Sequence, residues 1–156
     1  MHDAEVEVLV GEACNREVVF IDKTDSIRDA AGLMRQHHVG TVIVTAGPEG
    51  ERTPVGILTD RDITIELIAQ DIDIDSVTVA DVMSGDLLRL NPDEGIMEAL
   101  QLMKGQGVRR APVINENGGL IGILALDDIL ELIAEQLLDV VTLQNRAHLK
   151  EERIRR

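Results

Sequence analysis

Residues 56–63 read GILTDRDI and residues 122–129 read GILALDDI. An eight-residue phrase written twice points to an internal duplication, which has to be settled before any other feature of the fold. Working outward, Val10–Val39 aligns without a gap on Val79–Val108. Inside that span Ile27, Ala30, Ala31 and Met34 recur at i, i+3, i+4 and i+7, and Ile96, Ala99, Leu100 and Met103 repeat the spacing. The pattern predicts one buried helical face in each copy. Ser26 and Asp29 open the first helix with a capping pattern, and Pro92 and Asp93 stand just ahead of the second.

Each helix is followed by a β-rich run, a turn and a second β-rich run: TVIVT, AGPEGER, PVGILT in copy one and APVIN, ENGG, LIGILAL in copy two. Gly and Pro in the turns with β-branched flanks predict hairpins, the first with a loop three residues longer. An apolar helix closes each copy, RDITIELIAQ and DDILELIAEQ. The predicted class is α/β (α+β): a strand–helix–strand–strand–helix unit, twice, packed through the sheets because neither unit buries enough alone. The boundaries read as 8–70 for the first repeat, 71–77 (DIDIDSV) for a linker, 78–136 for the second repeat and 137–156 for a helical extension. In that extension Leu137, Val140 and Val141 keep an apolar stripe, and from Gln144 onward five Lys/Arg face two Glu. A solvated helix end and a dimer contact with an acidic neighbour both fit it.

Composition narrows the function. With 15 basic and 29 acidic residues the net charge is −14, which argues against a nucleic-acid or anionic-membrane footprint. Trp and Tyr are absent and Phe20 is the one aromatic residue, so base stacking on aromatic rings is also disfavoured. No apolar run reaches the length of a membrane span. MHDAEVEV at the start lacks a basic-then-apolar leader, so a cytoplasmic protein is expected. Cys14 has no disulfide partner and reads as a small, half-buried hydrophobe. His37 and His38 end the first helix and, being adjacent, do not converge on a metal; no metal is expected. A nucleophile–base pair, a metal-ligand cluster and a Walker-type loop are all missing, so no enzyme is expected.

Thr59 and Asp62 carry two compatible readings. A hydroxyl followed three residues later by a carboxylate caps a helix start. The same groups, beside unpaired amides and a positive dipole end, can accept hydrogen bonds from the two hydroxyls of a ribose. Ser26/Asp29 and Thr78/Asp81 share the pattern, so spacing alone does not choose.

The repeated unit, DSIRDAAGLMRQHHVGTVIV…PVGILTDRDI and EGIMEALQLMKGQGVRRAPVIN…LIGILALDDI, resembles the cystathionine β-synthase (CBS) domain over Val10–Gln136, and the tandem resembles a CBS pair or Bateman module. The resemblance implies a pseudo-twofold pair with two clefts that take AMP, ADP, ATP or S-adenosylmethionine. Its ribose signature falls on Gly56, Thr59 and Asp62, and in copy two on Gly122 and Asp128, with Ala125 replacing the threonine. A lost hydroxyl bond costs roughly 0.5–1.5 kcal/mol, so the clefts should differ and the second should be weaker. The resemblance further implies that the segment before Pro112 reaches the other copy's carboxylate, giving Arg109 and Arg110 to Thr59 and Asp62. Gly40 and Thr41 are its uncharged equivalents for Asp128. Arginine suits forked contact with phosphate, though surface charge is the plainer reading. Val18, Ile21, Val39 and Val113 are candidate adenine walls or ordinary core; Thr24 is a base contact or a cap. The expected function is a non-catalytic sensor binding an adenine nucleotide chiefly in one cleft, as a homodimer acting on a separate regulated protein. The alternative is a ligand-independent dimeric adaptor with vestigial clefts.

Overall fold

The computed structural model describes residues 7–155, so most of the acidic start (residues 1–6) and the final Arg156 lie outside it. In chain order it contains α1 (Val10–Ala13), β1 (Phe20–Asp22), α2 (Ile27–His37), β2 (Thr41–Ala46), β3 (Thr53–Thr59) and α3 (Asp60–Asp62). A π-turn (Ile63–Ile68) and a 3-10 turn (Ile74–Ser76) follow. Next come α4 (Val79–Val82), α5 (Ile96–Gln106), β4 (Arg110–Ile114), β5 (Leu120–Ala125) and α6 (Leu126–Ile154). Both hairpins form: β2 pairs antiparallel with β3, and β4 with β5.

The two repeats differ at their first strand. β1 lies parallel to β2, helped by the Ile43 amide donating to the Val19 carbonyl at 3.0 Å. In copy two only a bridge between Leu90 and Val113 remains. Pro112 occupies the position equivalent to Ile43 and has no N–H to give, so the matching bond cannot form.

Helix faces follow the predicted periodicity with one correction. Ile27, Ala30 and Met34 are buried in α2 and Ile96, Ala99 and Met103 in α5, but Ala31 is exposed. Leu33 packs partly against the core beside Met34, so the stripe of α2 leans toward Leu33 and leaves Ala31 just outside its edge. Ser26 Oγ accepts from the Asp29 amide at 3.1 Å, capping α2 as its sequence indicated.

The packed halves are not the sequence repeats. Val10 of α1 is fully buried in a cluster with Leu90, Ile96, Met103, Leu124 and Ile129, all from copy two. Val79 of α4 is buried with Ile21, Ile27, Val42 and Leu58, all from copy one. Each repeat therefore lends its leading helix to the other's core. Backbone bonds fasten the exchange: the Val10 amide donates to Glu94 O at 2.8 Å, and the Val79 amide to Asp25 O at 3.0 Å. Just beyond each helix, Asn15 bridges to Ile123 and Ser84 to Ile57.

That exchange explains the glycine of the repeated phrase. A methyl group on Gly56 would lie 2.6 Å from Met83 Sδ and 2.7 Å from the Ser84 carbonyl oxygen. On Gly122 it would lie 2.7 Å from Cys14 Sγ and 3.1 Å from the Asn15 carbonyl oxygen. Both glycines leave room for the exchanged segment to cross the hairpin.

The closing helices diverge. Thr64 Oγ1 donates to the Asp60 carbonyl at 3.0 Å, and the Ala69 amide reaches five residues back to Thr64 O. This widened turn buries Leu67 while Ile65 and Ile68 stay outside. Residues 71–77 form no strand: Asp71 has φ 54° and the 3-10 turn follows, clasped to α2 by an exposed Arg28–Asp75 pair at 2.8 Å. α6, by contrast, continues unbroken for 29 residues.

Candidate functional site

Both repeats end a hairpin at a helix start, the place where amides lack partners. At the first, the Thr59 amide donates to Asp62 Oδ2 at 2.9 Å and the Asp62 amide to Thr59 Oγ1 at 3.1 Å. Capping is thus realised in full. At the second, the Ala125 amide donates to Asp128 Oδ2 at 2.8 Å, and the methyl of Ala125 offers the Asp128 amide no acceptor. In neither carboxylate does Oδ1 make a hydrogen bond among the described residues, so each keeps an oxygen for a ligand.

One hollow between the repeats lies at Asp128. A cavity of about 320 Å³ has Val18, Val39, Gly40 and Thr41 of copy one on one side and Arg110, Ile123, Ala125 and Asp128 of copy two on the other. Glu17, His38 and Asp127 complete its polar lining. A second hollow of about 610 Å³ shares Asn15, Glu17, Val18, Val19 and Val39 with it and runs on towards Phe20 and Leu33. Gly40 and Thr41 stand at their own repeat's helix start, where the Asp60 amide donates to Gly40 O at 3.0 Å, and they also line the cavity that holds Asp128. Part of that polar lining is not legible from the motif: His38 has φ 54°, a left-handed conformation that its counterpart Gly107 adopts at φ 65°. A histidine at a glycine position is the signal that sets it apart from an ordinary helix end.

Other residues singled out in the sequence fall elsewhere. Val18 and Val39 line the Asp128 cavity, whose lining does not include Thr59 or Asp62. Arg109 and Arg110 stand at their own repeat's helix start, because the register of β4 on β5 sets Arg110 opposite Ala125. The Leu126 amide donates to Arg109 O at 2.8 Å, and both arginines share a hollow of about 210 Å³ with Asp127. Asp62 lines a hollow of about 380 Å³ in which Glu66 and Asp81 are further carboxylates, a poor seat for phosphate. Ile21 and Val113 are buried in opposite cores, where they pack against their neighbours. Pro112 is buried in β4, and Gly56 and Gly122 are occupied by the crossing segments described above. Thr24 donates through both its amide and its hydroxyl to Asp22 Oδ1, at 2.9 and 2.7 Å, and this pair holds the Asp22 carboxyl below its usual range. Cys14 is half-buried, its thiol pushed up chiefly by that burial.

Among the described residues no group of three His, Cys, Asp or Glu is placed to hold a metal ion, and no helix is long and apolar enough to cross a membrane.

A duplicated unit with exchanged leading helices and an inter-repeat hollow at a helix start defines a paired tandem-repeat module. The CBS domain signature matches residues 10–69 and 79–135, and the chain belongs to the CBS domain family. It is 36% identical over 120 residues to the CBS domain-containing protein YhcV of Bacillus subtilis, covering 77% of this chain and 81% of that one. It is 35% identical over 125 residues to protein MK0525 of Methanopyrus kandleri, covering 80% of this chain but 62% of the relative's length. Among solved structures, a hexameric CBS-CP12 protein from bloom-forming cyanobacteria matches with a TM-score of 0.67 and 30% identity, over 80% of this chain and 67% of that one. The CBS domain pair of protein MJ0100, solved with methylthioadenosine and S-adenosyl-L-methionine, matches in fold with a TM-score of 0.70 and 22% identity, over 83% and 98% of the two chains.

Proposed function

We propose that this CBS pair is a non-catalytic sensor that binds an adenosyl ligand between its repeats, chiefly in the cavity at Asp128. The observation that carries the reading is the cavity itself, lined by Val18 and Val39 of one repeat and by Asp128 and Arg110 of the other. About 320 Å³ lies within the range of small-molecule pockets, which runs from about 300 to 1,000 Å³. The ring slots between the valines, Asp128 Oδ1 accepts from the ribose hydroxyls, and Arg110 meets the substituent beyond the ribose. This reverses the ranking drawn from the missing threonine, since one hydroxyl bond weighs less than an open hollow.

Charge narrows the ligand. Glu17, Asp127 and Asp128 set three carboxylates against Arg110 in the same lining. A triphosphate meets the strongest repulsion there and the AMP monophosphate less, which Arg110 offsets, whereas neutral methylthioadenosine and the sulfonium of S-adenosylmethionine meet none. The MJ0100 complex supports an adenosyl ligand in this fold. Because the walls come from both repeats, binding ties them together and shifts whatever arrangement of halves or subunits favours the bound form. A homodimer acting on a separate regulated protein fits such a device, and the hexameric CBS-CP12 relative shows that the fold assembles.

A second reading has one observation behind it. Gly40 and Thr41 reach the Asp128 cavity, and equivalence of the repeats would carry Arg109 and Arg110 towards Thr59 and Asp62. Calorimetric titration of AMP, ATP, methylthioadenosine and S-adenosylmethionine separates the two. On the leading proposal Asp128→Ala abolishes binding and Asp62→Ala does little; the second requires the reverse. No heat with any of the four sinks both and leaves the adaptor.

A further inference from the structure

We propose that α6 pairs antiparallel with α6 of a second copy of this chain, about a two-fold axis near Leu137. The helix runs 29 residues, about 43 Å. Ile129 and Leu132 alone turn into the chain's own core, and every residue from Ile133 to Arg155 is exposed. Leu130, Ile133, Leu137, Val140 and Val141 follow 3–4 spacing on a different face, and they are between 37% and 62% exposed. A helical stretch this long with no tertiary partner is marginal in water, so the stripe calls for a cover.

Charge along the helix identifies the occupant. The first half carries Asp127, Asp128, Glu131, Glu135 and Asp139 and no basic residue. The second carries Arg146, Lys150, Arg153 and Arg155 against Glu151 and Glu152. Parallel pairing sets like on like. Antiparallel pairing lays the basic end of each helix along the acidic start of the other and opposes the two macrodipoles. An axis at Leu137 stacks the apolar stripe on its own copy, with Ile133 level with Val141 of the second copy and Leu137 on Leu137, a self-complementary contact of the kind two-fold dimers use. In a chain of net charge −14 this basic segment is the natural anchor for another copy.

The inference rests on the homodimer reading, and its test separates the two. Sedimentation equilibrium of the full chain should give a dimer, and Leu137→Glu with Val141→Glu should give a monomer that still unfolds cooperatively, its loss of helical dichroism no larger than the α6 extension accounts for, since both residues lie outside the core. For orientation, a spin label at Glu152→Cys in a Cys14→Ser background should report label separations near 45 Å by dipolar spectroscopy, set by the helical rise. A separation below about 20 Å means parallel helices and overturns the geometry. A dimer that survives the double substitution overturns the surface but spares the homodimer. A monomeric parent protein overturns both.

Discussion

Replacing Gly56 with alanine puts the exchanged architecture under direct stress. The added methyl would stand 2.6 Å from Met83 Sδ and 2.7 Å from the Ser84 carbonyl oxygen. The thioether can swing aside. The carbonyl cannot, because it accepts the Ile57 amide at 3.0 Å while the Ser84 amide donates back to Ile57 O at 2.9 Å. Restoring ordinary contact requires the strands to part by most of an ångström, straining both bonds. Overpacking of this kind costs about 1–3 kcal/mol, and partial loss of two hydrogen bonds adds about 1 kcal/mol. The stiffer unfolded chain returns at most about 1 kcal/mol, so a net loss near 2 kcal/mol is expected. Gly32 supplies the contrast: it sits inside α2 with nothing within 4 Å of its added methyl. Gly32→Ala should therefore stabilise by about 0.5–1 kcal/mol. Gly122→Ala should fall between, since the backbone carbonyl it meets, Asn15 O, stands at 3.1 Å rather than 2.7 Å. Urea titration followed by far-UV dichroism reads all three, as the chain has no Trp or Tyr to report by fluorescence. Parent-like stability for Gly56→Ala would refute the claim that the exchanged segment needs that space.

Two further outcomes follow from the helix starts and the β1 turn. Ala125→Thr supplies the acceptor that the Asp128 amide lacks and should stabilise the chain by about 1 kcal/mol. The same hydroxyl, within reach of a ribose, should tighten adenosyl binding roughly two- to tenfold by calorimetry; unchanged stability would show that α6 needs no such cap. Thr24 lowers the folded-state pKa of Asp22, so this carboxylate's contribution is present above the ordinary value of about 3.9 and fades as pH falls through the folded value. Asp22→Asn should lose less stability than the parent when urea midpoints at about pH 5 and about pH 3 are compared. An identical acid response in the two proteins would remove that group from the account.

How far the sequence speaks depends on whether a feature is periodic or tertiary. The duplication, the faces of α2 and α5, the hairpins and the length of α6 were legible because 3.6- and 2-residue periods and turn residues encode them locally. The exchange of α1 and α4 was not: Val10 and Val79 are apolar residues before a strand whichever core receives them. Ala31 was assigned to the core because an alanine at i+4 fits a wide stripe, and α2 uses a narrower one. Pro112 held a readable clue, since a proline at a pairing position cancels a donor, and its consequence was the loss of the second repeat's first strand. Motif comparison identified the carboxylate at each helix start and the hydroxyl at the first. It was silent on the shape of each cleft, because volume is a property of both repeats together; the helix start with the missing threonine lines a cavity walled by both.

A crystal structure of the protein grown with AMP or methylthioadenosine examines the central proposal most directly. Electron density for a nucleoside between Val18 and Val39, with its ribose hydroxyls on Asp128 and Arg110 turned toward its far end, is the predicted result. A nucleoside bound at Thr59 and Asp62 with the Asp128 cavity filled by water alone would contradict it.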